Sequence, residues 1–173
     1  GIRASGQKKN ERDRLNEERV PVEIDEDVQT GALLMGETTF LNVDLDIYSK
    51  KNLAPLAAAL GKNVLINYVG REGQRYSAHI EHRESFRLDS DTIIRKFFAL
   101  IKKLPEPAKA LWNSAASRDF NIVIEAGVTP RYFELDISQE TVKLISKIKA
   151  RIVLTIYAAE PRESIRSGRK KHK

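Results

Sequence analysis

The chain has 173 residues, 41% of them hydrophobic and 31% charged, which is enough for one sizeable core and short for two. With no cysteine, disulfides, thiolate metal sites, iron–sulfur ligation and cysteine nucleophiles are excluded, and no apolar run approaches the roughly 20 residues of a bilayer span. The net charge of +6 is unevenly spread, at −3 over residues 1 to 38, +5 over 39 to 159 and +4 over 160 to 173.

Residues 1 to 38 are rich in charge, with Val20, Val22, Ile24 and Val28 as regularly spaced apolar side chains. Such a segment cannot bury enough to offset its ordering entropy and is expected to be mostly disordered. Gly1 is not a Met, so the first residues read either as an added expression remnant or as the cut edge of a longer polypeptide, and they carry no weight in the fold. From Phe40 to Tyr48 the sequence alternates, Leu41, Val43, Leu45 and Ile47 against Asn42, Asp44, Asp46 and Tyr48, as a half-buried strand does. Ser49 or Asn52 then caps a short helix carrying Leu53, Leu56, Ala57 and Leu60, with Pro55 in its first turn and Gly61 as its stop. Residues 63 to 69 and 75 to 84 alternate around Arg71-Glu72-Gly73-Gln74, a hairpin signal.

After Ser90, the residues Ile93, Ile94, Phe97, Phe98, Leu100, Ile101 and Leu104 trace a broad apolar helix face that ends at Pro105. A shorter helix from Pro107 carries Leu111 and Trp112. Residues 120 to 126 and 131 to 137 alternate again about a turn at Gly127 to Pro130, which predicts a second hairpin. Ser138 caps a helix with Val142, Leu144, Ile145 and Ile148, and residues 151 to 158 form the last strand. The tail from 160 to 173 is basic and is expected to be disordered.

Each strand is apolar on one side only, whereas a sheet covered on both faces would show continuous apolar runs. The expected fold is therefore α+β, a single domain over residues 39 to 159: a two-layer sandwich, with a mixed six-stranded sheet, helices on one face and one open polar face. Its core is expected to contain Leu41, Val43, Leu45, Ile47, Phe97, Ile101, Ile122, Ile124, Leu135, Ile152, Leu154 and Ile156.

The open face would collect Asp44, Asp46, Tyr48, Tyr132, Glu134, Asp136, Arg151 and Tyr157, with His79 and Glu81 as additions from the hairpin. This is a candidate binding surface, and equally an ordinary solvated face with cross-strand ion pairs. Asp44 and Asp46 could share a divalent cation if Glu134 or Asp136 came alongside. His79 and His82, three apart on a strand, face opposite ways and cannot clamp one ion. No phosphate loop, nucleophile elbow or cofactor motif accompanies the carboxylates, so neither catalytic residues nor a cofactor nor a metal site is assigned.

The stretch Ile137 to Tyr157, with its Ser-x-Glu helix start and its strand ending in Ile-Tyr, and the stretch Phe40 to Ile47 resemble parts of small, largely uncharacterised bacterial α/β proteins of accessory or immunity-like type. The resemblance, whose matched positions are structural, implies a bacterial accessory or immunity-like binding protein; with no catalytic constellation, apolar span or signal region, a non-catalytic, cytoplasmic protein-binding module is expected. Its alternatives are a nucleic-acid accessory protein acting through the basic tail and a divalent-metal hydrolase using Asp44 and Asp46.

Overall fold

The computed structural model describes residues 36 to 158. The expectations for residues 1 to 35 and for the basic tail lie outside these. Gly36 to Thr38 belong to the folded part: the Thr38 amide donates to the Thr129 carbonyl at 2.6 Å, and Glu37 bridges to Thr129.

Among the described residues five strands form one mixed sheet in the order β2-β3-β1-β4-β5. They are β1 (Thr39–Ser49), β2 (Val64–Glu72), β3 (Arg75–His82), β4 (Ser117–Glu125) and β5 (Arg151–Tyr157), interleaved with helices α1 (Ala54–Ala59), α2 (Ser90–Lys102), α3 (Glu106–Ser114) and α4 (Gln139–Lys147). All neighbours are antiparallel except β4 and β5, which run parallel across α4. The β2–β3 hairpin forms as expected, with Glu72 paired to Arg75 across a two-residue loop. Gly73 opens that loop at φ 60°, a conformation that suits glycine. Asp89 caps α2, its carboxylate accepting from the Thr92 amide at 2.8 Å, and Ser138 caps α4 as expected.

One core lies between the helices and a single sheet face. Val43, Leu45 and Ile47 of β1, Ile80 of β3 and Phe120, Ile122 and Ile124 of β4 meet Leu56, Ile93, Ile94, Phe97, Ile101, Trp112 and Ile145 of the helices there. Trp112 is a core residue whose indole N–H reaches the Ile148 carbonyl at 3.3 Å. Arg118 pins the junction of α3 and β4 by donating to the Trp112 carbonyl at 2.9 Å.

Three expectations are corrected. Residues 131 to 137 form no strand, because β1 and β5 already occupy both edges of β4. Their alternation instead presses Leu135 and Ile137 onto the core as an irregular strap. A period of two records one buried side of an extended chain, and a hydrogen-bonded neighbour is not required for it. Leu41 is exposed because β1 bulges between Phe40 and Asn42, which turns Phe40 towards the core in its place. Finally, Ile152, Leu154 and Ile156 lie on the helix side of β5 but are 44%, 55% and 59% exposed, since this edge strand runs past the helices. No helix of the described residues is long and apolar enough to cross a membrane.

Candidate functional site

The register places one side chain from every strand in a single row across the polar face. Tyr68 of β2 pairs with His79 of β3, His79 with Asp46 of β1, Asp46 with Asp119 of β4, and Asp119 with Arg151 of β5. The row is closed from both ends by close polar contacts. His79 Nδ1 lies 2.7 Å from Asp46 Oδ1, and Arg151 donates in fork geometry to Asp119, Nε to Oδ1 at 2.8 Å and Nη2 to Oδ2 at 2.7 Å. Asp46 and Asp119 are only 9% and 5% exposed although no helix of the described residues covers them. Their longer neighbours do this: Tyr48 and Tyr68 both set their rings 5.9 Å from His79, and the Arg75 guanidinium stacks 4.1 Å over Tyr48.

The next row consists of Leu65, Glu81, Asp44, Asn121 and Val153. Asp44 accepts from Asn42 Nδ2 at 3.1 Å, and among the described residues no cation forms an ion pair with it. Burial first, then the Asp46 and Glu81 carboxylates, push its pKa up to about 6, with His79 acting weakly the other way. Burial and Asp46 likewise push the Tyr48 phenol up. Among the described residues, two of the three buried polar atoms without a hydrogen-bond partner, Asn42 Oδ1 and the hydroxyl of fully buried Ser77, lie on this same face.

Asp44, Asp46, Tyr48 and Arg151 therefore come together as the sequence suggests, and Tyr157 lies further along β5, exposed. Tyr132, Glu134 and Asp136 do not join them. The strap that replaces their strand carries Glu134 and Asp136 along a separate recess of about 560 Å³ beside Phe40, Asp89 and Asp91, so neither can approach Asp44 as a shared ligand. Among the described residues no three histidine or carboxylate groups converge as a metal site would need.

Sequence reasoning missed Asp119, which reads as a junction residue when the strand is begun at Phe120. Continuing the alternation of Asn121 back by two positions would have placed it on the polar face. His82 faces the helices, its ring set edge-on to Phe97, and burial lowers its pKa.

An aspartate–histidine pair is part of several hydrolytic machines, but here the second histidine nitrogen faces Glu72 Oε1 at 3.6 Å rather than a nucleophilic hydroxyl. The arrangement holds charge in place and offers one carboxylate, Asp44, that forms no ion pair among the described residues.

Comparison of the chain with protein-family models, with curated proteins and with solved structures finds no match. The resemblance of Phe40 to Ile47 and Ile137 to Tyr157 to bacterial accessory proteins is neither supported nor opposed by it.

Proposed function

We propose that the protein is a non-catalytic binding module, bacterial and cytoplasmic, that uses the free polar face of a two-layer sandwich to hold a partner protein through an Arg or Lys side chain. One observation carries this reading. Asp44 is a half-buried carboxylate between Asp46 and Glu81, unpaired among the described residues. A cation entering beside it would relieve the repulsion that raises its pKa, and the ordered row of Asp46, His79, Asp119 and Arg151 would fix where that cation sits. The unpartnered Oδ1 of Asn42, whose amide nitrogen already donates to Asp44, would supply a further acceptor.

Capture from bacterial cells should return a protein whose retention is lost on Asp44→Asn and weakened by salt. Titration with a short arginine-bearing peptide, read by NMR, should shift Asp44, Asp46 and Glu81 before other residues. A partner held equally by Asp44→Asn overturns the reading. Tight, sequence-dependent nucleic-acid binding that survives removal of residues 160 to 173 would overturn the reading outright, binding abolished by that removal would favour the tail-based alternative, and stoichiometric divalent-ion binding abolished by Asp44→Asn would favour the hydrolase.

A further inference from the structure

The two edges of the sheet are built differently. β2 is interrupted by a bulge between Ile66 and Tyr68 and ends in Gly70, Arg71 and Glu72, features that discourage pairing with another chain. β5 has none of these. It pairs with β4 in unbroken register over all seven residues, contains no proline, and carries one charged side chain, Arg151, already held by Asp119. Among the described residues nothing pairs with its outer edge. Its helix-side face joins Phe133, Leu135, Ile122 and Ile124 in an apolar groove of about 500 Å³.

The sequence of β5, Arg-Ile-Val-Leu-Thr-Ile-Tyr, is self-complementary about its centre. If a second copy is laid antiparallel with a two-fold axis at Leu154, then Leu154 faces its own counterpart and Ile152 faces Ile156 of the second copy. On the polar face Val153 faces Thr155, and Arg151 faces Tyr157, a cation–aromatic pairing. No like charges are opposed, and an isologous contact requires this kind of self-match. We infer that β5 is a homodimerisation edge, where two copies join their sheets through Arg151–Tyr157 and bury the Ile152, Leu154 and Ile156 side chains against their counterparts. The pairing would also set the two polar rows in one continuous ten-strand sheet. It does not depend on what that face binds.

The absence of cysteine makes the register directly measurable in the full chain. Opposed residues on paired strands have Cβ atoms about 5 Å apart, near what a disulfide spans. Mild oxidation of Leu154→Cys should therefore give a covalently linked dimer. Ile152→Cys alone should link poorly, because its own counterpart would lie about 13 Å away. A mixture of Ile152→Cys and Ile156→Cys should link to each other. By sedimentation the parent chain should be a dimer, Leu154→Lys a monomer with an unchanged circular dichroism spectrum, and Ile66→Lys on the opposite edge still a dimer. A parent chain that stays monomeric at the highest soluble concentration overturns the inference, and so does a dimer that Leu154→Lys leaves intact. Linking through Ile152→Cys alone in preference to Leu154→Cys overturns the register.

Discussion

Asp46 and Asp119 stand directly opposite each other on β1 and β4, two nearly buried carboxylates in adjacent positions. Each is held from its far side, Asp46 by His79 and Asp119 by Arg151. Like charges opposed across a ladder are destabilising, so the two outer partners make the central pair tolerable. Any change that removes one of them exposes the cost of the other.

That asymmetry gives a double-mutant test. Arg151→Met leaves Asp119 buried, charged and next to Asp46, and should lower the urea midpoint markedly at pH 7. Asp119→Asn removes the repulsion together with the salt bridge and should be much milder. The double variant should be more stable than Arg151→Met alone, because it no longer buries an uncompensated charge. Additive losses would show that the row is not coupled.

Asp44 sets a pH dependence of known sign. Its folded pKa of about 6 lies above the unfolded 3.8, so the folded protein binds this proton more tightly. The cost of ionising Asp44 is absent below about pH 4 and fully developed above about pH 6, and solvent reaching this half-buried carboxylate reduces it below what the shift alone would give. Asp44→Asn should therefore stabilise the protein at pH 7 and flatten its stability between pH 4 and 6. It should do this while weakening partner binding, a trade-off expected where strain is kept for function. A variant no more stable than the parent at pH 7 would rule out this cost.

His82 contributes with the opposite sign. Burial, with Lys96 nearby, depresses its pKa below 6.5, so the unfolded chain takes up this proton first. Its contribution is present above about pH 6.5 and is lost as pH falls. His82→Phe should lessen the acid sensitivity between pH 5 and 6.5 in thermal unfolding, and an unchanged acid limb would show that His82 does not set it.

Much of this fold is legible in the chain because one-sided alternation and helix caps are local signals. Leu45 and Ser138 act within a few residues of their own positions. The strap at residues 131 to 137 is not legible, since whether an alternating segment finds a strand edge depends on β5, which lies later in the chain. The polar row is only partly legible for the same reason: Asp44 and Asp46 share a strand, but Asp119, His79 and Arg151 reach them only through register. The exposure of Leu154 depends on how far the helix layer extends, which no strand pattern records.

The bulge in β1 separates two leucines that strict alternation would treat alike. Leu45 is fully buried and Leu41 is exposed. Leu45→Ala should cost ~2 to 5 kcal/mol, and Leu41→Ala only about 0.5 kcal/mol, both read from chemical denaturation. Similar losses at the two sites would mean that Leu41 turns inward in solution.

The joint between α2 and α4 is carried by one hydroxyl. Thr141 is fully buried; its Oγ1 accepts from Arg95 Nε at 2.9 Å and lies 3.1 Å from the Ser138 hydroxyl, which caps α4. Asp91 completes the set, pairing with Arg95 at 3.0 Å and accepting from the Ser138 amide at 2.8 Å. Thr141→Val keeps the volume and removes the acceptor, so the loss should reflect hydrogen bonding rather than packing, at ~1 to 2 kcal/mol. Because the cap is local, α4 amides should exchange faster in this variant while those of β1 keep their protection. Ser138→Ala should reproduce the faster α4 exchange at a cost of about 1 kcal/mol. If Thr141→Val left both stability and α4 exchange unchanged, packing alone would be holding α4 against α2.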